Sequence, residues 1–204
     1  MLNKDYIVPG LAAITLAVLF PIYWGYQYTL VTESNFTDAY FANITSLSLS
    51  DWVFLTLGAL EIYIYFSLRR VLVDRVNFRY IDVLLFLFIC TSTIYYIGNF
   101  GIDIGIFFAE NITGEVEELA ATISFSLSII CMLLYGVLDF LISIILLFKF
   151  KLLPIWLRIF AIATLVMSLL ELTFSYEFVV ILYPISLLIL AVYFLQKPEV
   201  IEVV

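Results

Sequence analysis

Residues 119–151 read LAATISFSLSIICMLLYGVLDFLISIILLFKFK: thirty residues from Leu119 to Phe148 carry a single charge, Asp139, and the run closes on Lys149 and Lys151. A membrane α-helix needs about 20 mostly apolar residues, whereas a strand of a membrane barrel shows about 10 in alternation. This run is long and does not alternate, so it reads as a bilayer-crossing helix. It is longer than crossing requires. Counting about 20 residues back from Lys149 leaves Leu119 to Ser128 partly above the membrane, projecting outward or taken up by tilt.

Five further apolar runs flank it, at about 7–28, 52–68, 80–100, 156–174 and 178–195. With 119–148 they make six, and the expected fold is all-α: one transmembrane helical bundle over residues 1–204. Hydrophobic residues are 65% of the chain and charged residues 13%, a balance that no water-soluble domain of 204 residues hides in one core. The first run exceeds a secretory-signal core and no small-x-small cleavage site closes it, so it is read as a retained span.

The nine Lys and Arg residues set the orientation. Lys4 precedes the first span; Arg69, Arg70, Arg75 and Arg79 fall between the second and third; Lys149, Lys151 and Arg158 between the fourth and fifth; Lys197 after the last. By the positive-inside rule both termini are cytoplasmic. The opposite loops are acidic, with Glu33, Asp38, Asp51, Glu110, Glu115, Glu117, Glu118 and Glu177. Sequons at Asn35, Asn43 and Asn111 fall in those outward loops, where they matter only in a eukaryotic secretory membrane. The expected location is a plasma membrane, of the bacterial inner type. Arg69-Arg70 and the Lys149 to Arg158 cluster add contacts to anionic lipid. Trp24, Trp52 and Trp156 fall near span ends and read as interfacial anchors.

Topology then isolates two acids. Glu61 lies nine residues in from Trp52 and Asp139 ten residues out from Lys149, which puts each roughly 14–15 Å from its own interface. No span interior offers Lys, Arg or His to neutralise them. An ionised carboxylate at that depth costs at least about 2.5 kcal/mol, so each acid is protonated, bound to a cation, or in a water-filled cavity. Glu61 shares its helical face with Gly58 and Tyr65, and Asp139 with Gly136 and Tyr135; small residues admit a neighbouring helix and a phenol hydrogen-bonds an acid. A plainer role is equally open: a protonated acid that glues helices together.

Polar residues extend the pattern at steps of three or four. Ser124, Ser128, Cys131, Tyr135, Asp139 and Ser143 line one face of the fourth span; Ser92, Tyr96, Asn99 and Asp103 follow on the third, and Thr164, Ser168, Glu171 and Ser175 on the fifth. If they converge, they line an outward vestibule whose floor is near Glu61 and Asp139. The candidate ligand-binding set is therefore Glu61, Tyr65, Ser92, Tyr96, Asn99, Tyr135, Asp139, Ser168 and Glu171. Glu171, about three quarters of the way outward, is expected to reach interfacial water, and Asp82 to start a helix or pair with a snorkelling base. Pro21 and Pro184 interrupt the outer halves of the first and last spans and are expected to kink or shape them. Three spans followed by three of opposite orientation, with Glu61 and Glu171 in the middle helix of each half, is the layout of an inverted repeat, although no residue-level repeat is visible.

Exclusions narrow the field. No histidine occurs, which removes His-based zinc hydrolysis, ordinary haem ligation and His general acid–base chemistry. Cys90 and Cys131 form no CxxC pair and read as buried thiols. There is no mid-span Lys for a Schiff base, no phosphate-binding Gly loop and no nucleophile elbow; no cofactor and no metal are implied. At net charge −8 with no basic footprint, nucleic acid is not a partner. Three functions stay open: a transporter or channel component binding a proton or cation at Glu61 and Asp139; a non-catalytic subunit, sensor or assembly factor of a larger complex, with a protein partner or as a homo-oligomer; and a metal-free membrane enzyme whose carboxylic acid protonates an isoprenoid-like lipid. Membrane lipids are partners in all three.

Overall fold

The computed structural model describes residues 6–33, 47–76, 79–109 and 114–196. They form α1 (Ile7–Glu33), α2 (Leu49–Val76), α3 (Arg79–Phe108), α4 (Gly114–Phe148), α5 (Ile155–Leu172) and α6 (Tyr176–Leu195), with a 3-10 turn at Phe150–Leu152. No strand occurs among the described residues. All six helices are long and apolar enough to cross a membrane. Lys4, Asp38, Glu110, Lys197 and the sequon residues Asn35, Asn43 and Asn111 lie outside the described residues.

Most helices outlast their apolar runs, because a helix does not end where hydropathy does. α2 continues past residue 68 through Arg69 and Arg70, good helix formers that leave the backbone bonded while their charges reach water. Its start is set by Ser48 and Asp51: the Asp51 carboxylate accepts from both the Ser48 N–H (2.6 Å) and hydroxyl (3.0 Å), a capping-box arrangement. α5 instead stops at Leu172, short of the expected residue 174. There the Ser175 N–H donates to the Leu170 carbonyl (2.9 Å) and the Phe174 N–H to that of Glu171 (3.1 Å), a Schellman turn with Phe174 at φ 57° where glycine is usual. α1 and α6 run through Pro21 and Pro184 without breaking.

Each helix packs chiefly against its neighbours in sequence, and α6 closes against α1, so the six helices form a ring. Contacts along the seams give antiparallel registers. Gln27 of α1 meets Ser50 of α2 (2.8 Å) while Tyr23 stacks on Phe54. Arg69 of α2 pairs with Asp82 of α3 at 2.6 Å, the snorkelling ion pair expected of Asp82, and Trp52 packs on Phe100 at the other end. Asn99 of α3 meets Ser124 of α4, and Phe88 meets Tyr135. The alternation gathers Arg69, Arg70, Lys149, Lys151 and Arg158 at one end of the ring, and Asp51, Asp103, Glu115, Glu117, Glu118 and Glu177 at the other.

The interior differs between these two ends. Towards the basic end it is filled by Ile64, Leu68 and Leu72 of α2, Ile81 and Leu85 of α3, Ile142 and Leu146 of α4, Leu157 and Phe160 of α5, and Leu190 and Phe194 of α6, all at most 2% exposed. Four hydroxyls are buried on the same side, those of Ser67, Ser143, Thr164 and Ser186. Towards the acidic end the buried positions include Asn99, Ser124, Asp103 and Asp51. Outward faces such as Val8, Leu11, Val18 and Ile22 of α1 or Ile181, Ile185 and Leu188 of α6 stay exposed and aliphatic, as a lipid-facing surface requires.

The α4–α5 connection depends on one side chain. Arg158 donates from Nε to the Leu153 carbonyl (2.6 Å) and from Nη2 to that of Lys151 (3.1 Å), and its guanidinium lies 5.2 Å from the Phe150 ring centroid. Hydrogen bonds from a charged donor contribute about 1.5–3 kcal/mol. Arg158→Ala is expected to lower stability in detergent by about that amount, whereas Lys151→Ala, an exposed side chain, shifts it by less than about 0.5 kcal/mol; thermal unfolding of both variants checks the contrast.

Candidate functional site

Glu61 is held by α3. A Cβ at Gly58, one turn from Glu61, would overlap the Tyr96 ring, so glycine is what lets Tyr96 lie flat against α2. From there the Tyr96 hydroxyl donates to Glu61 Oε2 (2.8 Å). The Ser92 hydroxyl, which also lies against the Phe88 carbonyl, donates to Oε1 (3.1 Å). The phenols of Tyr135 and Tyr183 also approach Glu61, but neither hydroxyl completes a hydrogen bond.

Asp139 and Glu171 come to the same place from α4 and α5. Gly136 allows it: a Cβ there would sit 3.2 Å from the Glu171 Cβ, so α5 can pack close beside Asp139. The three carboxyl groups line one cavity of about 120 Å³. Asp139 is 1% exposed and Glu171 8%. Asp139 Oδ1, Glu171 Oε2 and the Tyr135 and Tyr183 hydroxyls are buried and make no hydrogen bond. Leaving one such group unpaired costs about 1–3 kcal/mol, and here four gather around one space. The rest of the wall is mainly aromatic, with Phe20 and Trp24 of α1, Phe88, Tyr95 and Tyr96 of α3; no Lys or Arg lines it. Pro184 of α6 has no N–H to offer the carbonyl four residues back, which belongs to the lining residue Val180.

The expected set is partly assembled. Glu61, Tyr96, Tyr135, Asp139 and Glu171 line the cavity, and Ser92 supports Glu61 from behind. Tyr65 lies one turn towards the basic end, stacked on Phe88 at 4.0 Å. Asn99 lies one turn towards the acidic end, where it donates to the Tyr95 carbonyl (2.8 Å) and accepts from Ser124 (2.6 Å) and Ser128 (3.4 Å). Ser168 turns back to its own helix, donating to the Leu165 carbonyl at 2.8 Å. Tyr65, Asn99 and Ser168 do not line the cavity.

Two expectations change. Glu171 is buried at 8% exposure and lines the cavity, because the last turn of α5 packs beside Gly136 of α4. Trp24 lines the cavity with Phe20 instead of only marking an interface. Tyr183 and Phe20, absent from the candidate set, face each other across the α1–α6 seam with ring centroids 4.6 Å apart. Each directly precedes a proline, Pro21 or Pro184, and that adjacency is the only trace of them in the sequence. Cys90 and Cys131 are both free.

No protein-family model, no curated protein and no solved structure matches this chain.

The fit of Tyr96 against Gly58 is testable. Gly58→Ala must push the ring away from Glu61, and overpacking of this kind costs about 1–3 kcal/mol. The expected result is a lower melting temperature for Gly58→Ala, partly restored when Tyr96→Leu is added to it; additivity of the two changes would show that the contact does not matter.

Proposed function

We propose that this protein is a small membrane transporter or channel component that binds a cation, a proton included, at Glu61, Asp139 and Glu171. The observation that carries the reading is the convergence of three carboxyl groups from α2, α4 and α5 on one cavity without a Lys or Arg in its wall. A site of that charge at mid-depth in a bilayer suits a positive ligand. The apolar layer towards the basic end supports access from the acidic end, which the Lys and Arg distribution assigns to the outer face of a plasma membrane. An isoprenoid-processing enzyme is less well supported: the cavity, at about 120 Å³, is smaller than the about 150 Å³ that accommodates one benzene ring.

Ligand binding stabilises the folded state by about 2.7 kcal/mol at one hundred times the dissociation constant. The wild-type protein in detergent is therefore expected to change its melting temperature with pH and across a cation panel, and Glu61→Gln and Asp139→Asn to lose that response. If both variants respond as the wild type does, the site is elsewhere.

Orientation has its own test. In a background lacking Cys90 and Cys131, a thiol introduced as Glu115→Cys is expected to react with a membrane-impermeant maleimide on intact cells, and one introduced as Lys151→Cys only after permeabilisation. The reverse pattern would invert the topology.

A further inference from the structure

Seven of the thirteen lining residues are aromatic, and they form two runs of touching rings. Trp24, Phe20 and Tyr183 make one on α1 and α6, with centroid spacings of 6.1 and 4.6 Å. Tyr96, Tyr95, Tyr135 and Phe88 make the other on α3 and α4, spaced 5.0, 6.0 and 5.0 Å. Ring faces attract a cation within about 6 Å, most strongly where water is excluded. The same wall holds Asp139 Oδ1 and Glu171 Oε2, both buried and without a hydrogen-bond partner in the protein. These are acceptors for N–H donors.

An inorganic ion fits this wall poorly. Calcium takes about six to eight oxygens within about 2.6 Å, and magnesium demands a near-ideal octahedron. Among the described residues, no three His, Cys, Asp or Glu side chains come close enough together to hold a metal ion. The carboxyl groups share a cavity without sharing a point. A wall of this composition suits an organic cation that touches rings with its alkyl groups and a carboxyl oxygen with its N–H. A cavity of about 150 Å³ holds the six carbons of benzene, so 120 Å³ admits about five heavy atoms.

We propose that the cavity binds a compact alkylammonium ion of about five heavy atoms or fewer, with its alkyl groups on the rings of Phe20, Trp24 and Tyr95 and an N–H directed to the oxygens of Asp139 and Glu171. This rests on the cation reading above and names the class of ligand. Trimethylammonium is the probe, with tetrabutylammonium as an oversized control and potassium and calcium as inorganic ones.

Titration calorimetry and thermal unfolding of the full chain in detergent are expected to show saturable binding of trimethylammonium and none of tetrabutylammonium. Phe20→Leu is expected to weaken trimethylammonium about three- to thirtyfold by removing one ring face. Asp139→Asn is expected to weaken it about thirtyfold or more, with Glu171→Gln as the second carboxylate variant if Asp139→Asn does not fold. Binding of potassium or calcium in preference to trimethylammonium, or a response to pH alone, would overturn the alkylammonium assignment and leave the broader cation reading standing. Equal binding of tetrabutylammonium would overturn it as well, since the ligand would then lie outside the cavity. The absence of any response to pH or to any of these cations would overturn both.

Discussion

An acid carried into a lipid bilayer must find a hydrogen bond, a proton, a cation or water, and three such acids in one ring of helices must find them together. Much of the architecture around the cavity follows from that demand. Glu61 is met by Ser92 and Tyr96, and Tyr96 can reach it only because position 58 has no side chain. Asp139 and Glu171 approach each other because position 136 has none either. In both cases a glycine on the helix carrying an acid permits close packing by the helix carrying its neighbour. The difference lies in the outcome: Glu61 has its donors, while Asp139 and Glu171 each present an unpaired oxygen to the cavity.

The ring divides into two layers with different physics. Below the acids, towards the basic end, the buried side chains are mostly aliphatic and aromatic, with the hydroxyls of Ser143, Thr164 and Ser186 among them. Above them, Asn99 joins α3 to α4 through Ser124 and Ser128 in a hydrogen-bonded polar layer. The α5–α6 hairpin turns back beside the middle of α4, whereas α4 continues towards the acidic end as far as Gly114. The cavity thus lies at the boundary between a mostly apolar half and a polar half. That asymmetry, more than any single residue, supports access from one side.

The hydroxyl stripes show why membrane helices are hard to read for function. A serine or threonine in a helix can always return its hydrogen bond to the carbonyl four residues back, and Thr91, Thr93 and Ser143 do so here. Ser168 does much the same, so its place on a polar stripe carried no information about a shared site. The three acids of α2, α4 and α5, by contrast, all line the cavity. Within a span, an acid is therefore a better pointer than a hydroxyl.

Hydropathy and charge alone determined that the chain is a six-helix membrane bundle, and they singled out Glu61 and Asp139 as acids inside apolar spans that hold no Lys, Arg or His. These follow from the length of bilayer that a helix must cross and from the penalty for placing charge inside it, both of which act on each segment separately. Tertiary structure decided the rest: that the helices close into a ring in chain order, that the early Schellman turn after Leu172 draws Glu171 inward to join the other two acids, and that aromatic rings from α1, α3 and α6 complete the wall. No local pattern encodes those contacts. They depend on which faces meet once six apolar helices of nearly equal hydropathy are packed, and in lipid that choice is made by shape and by the few polar groups that must be paired.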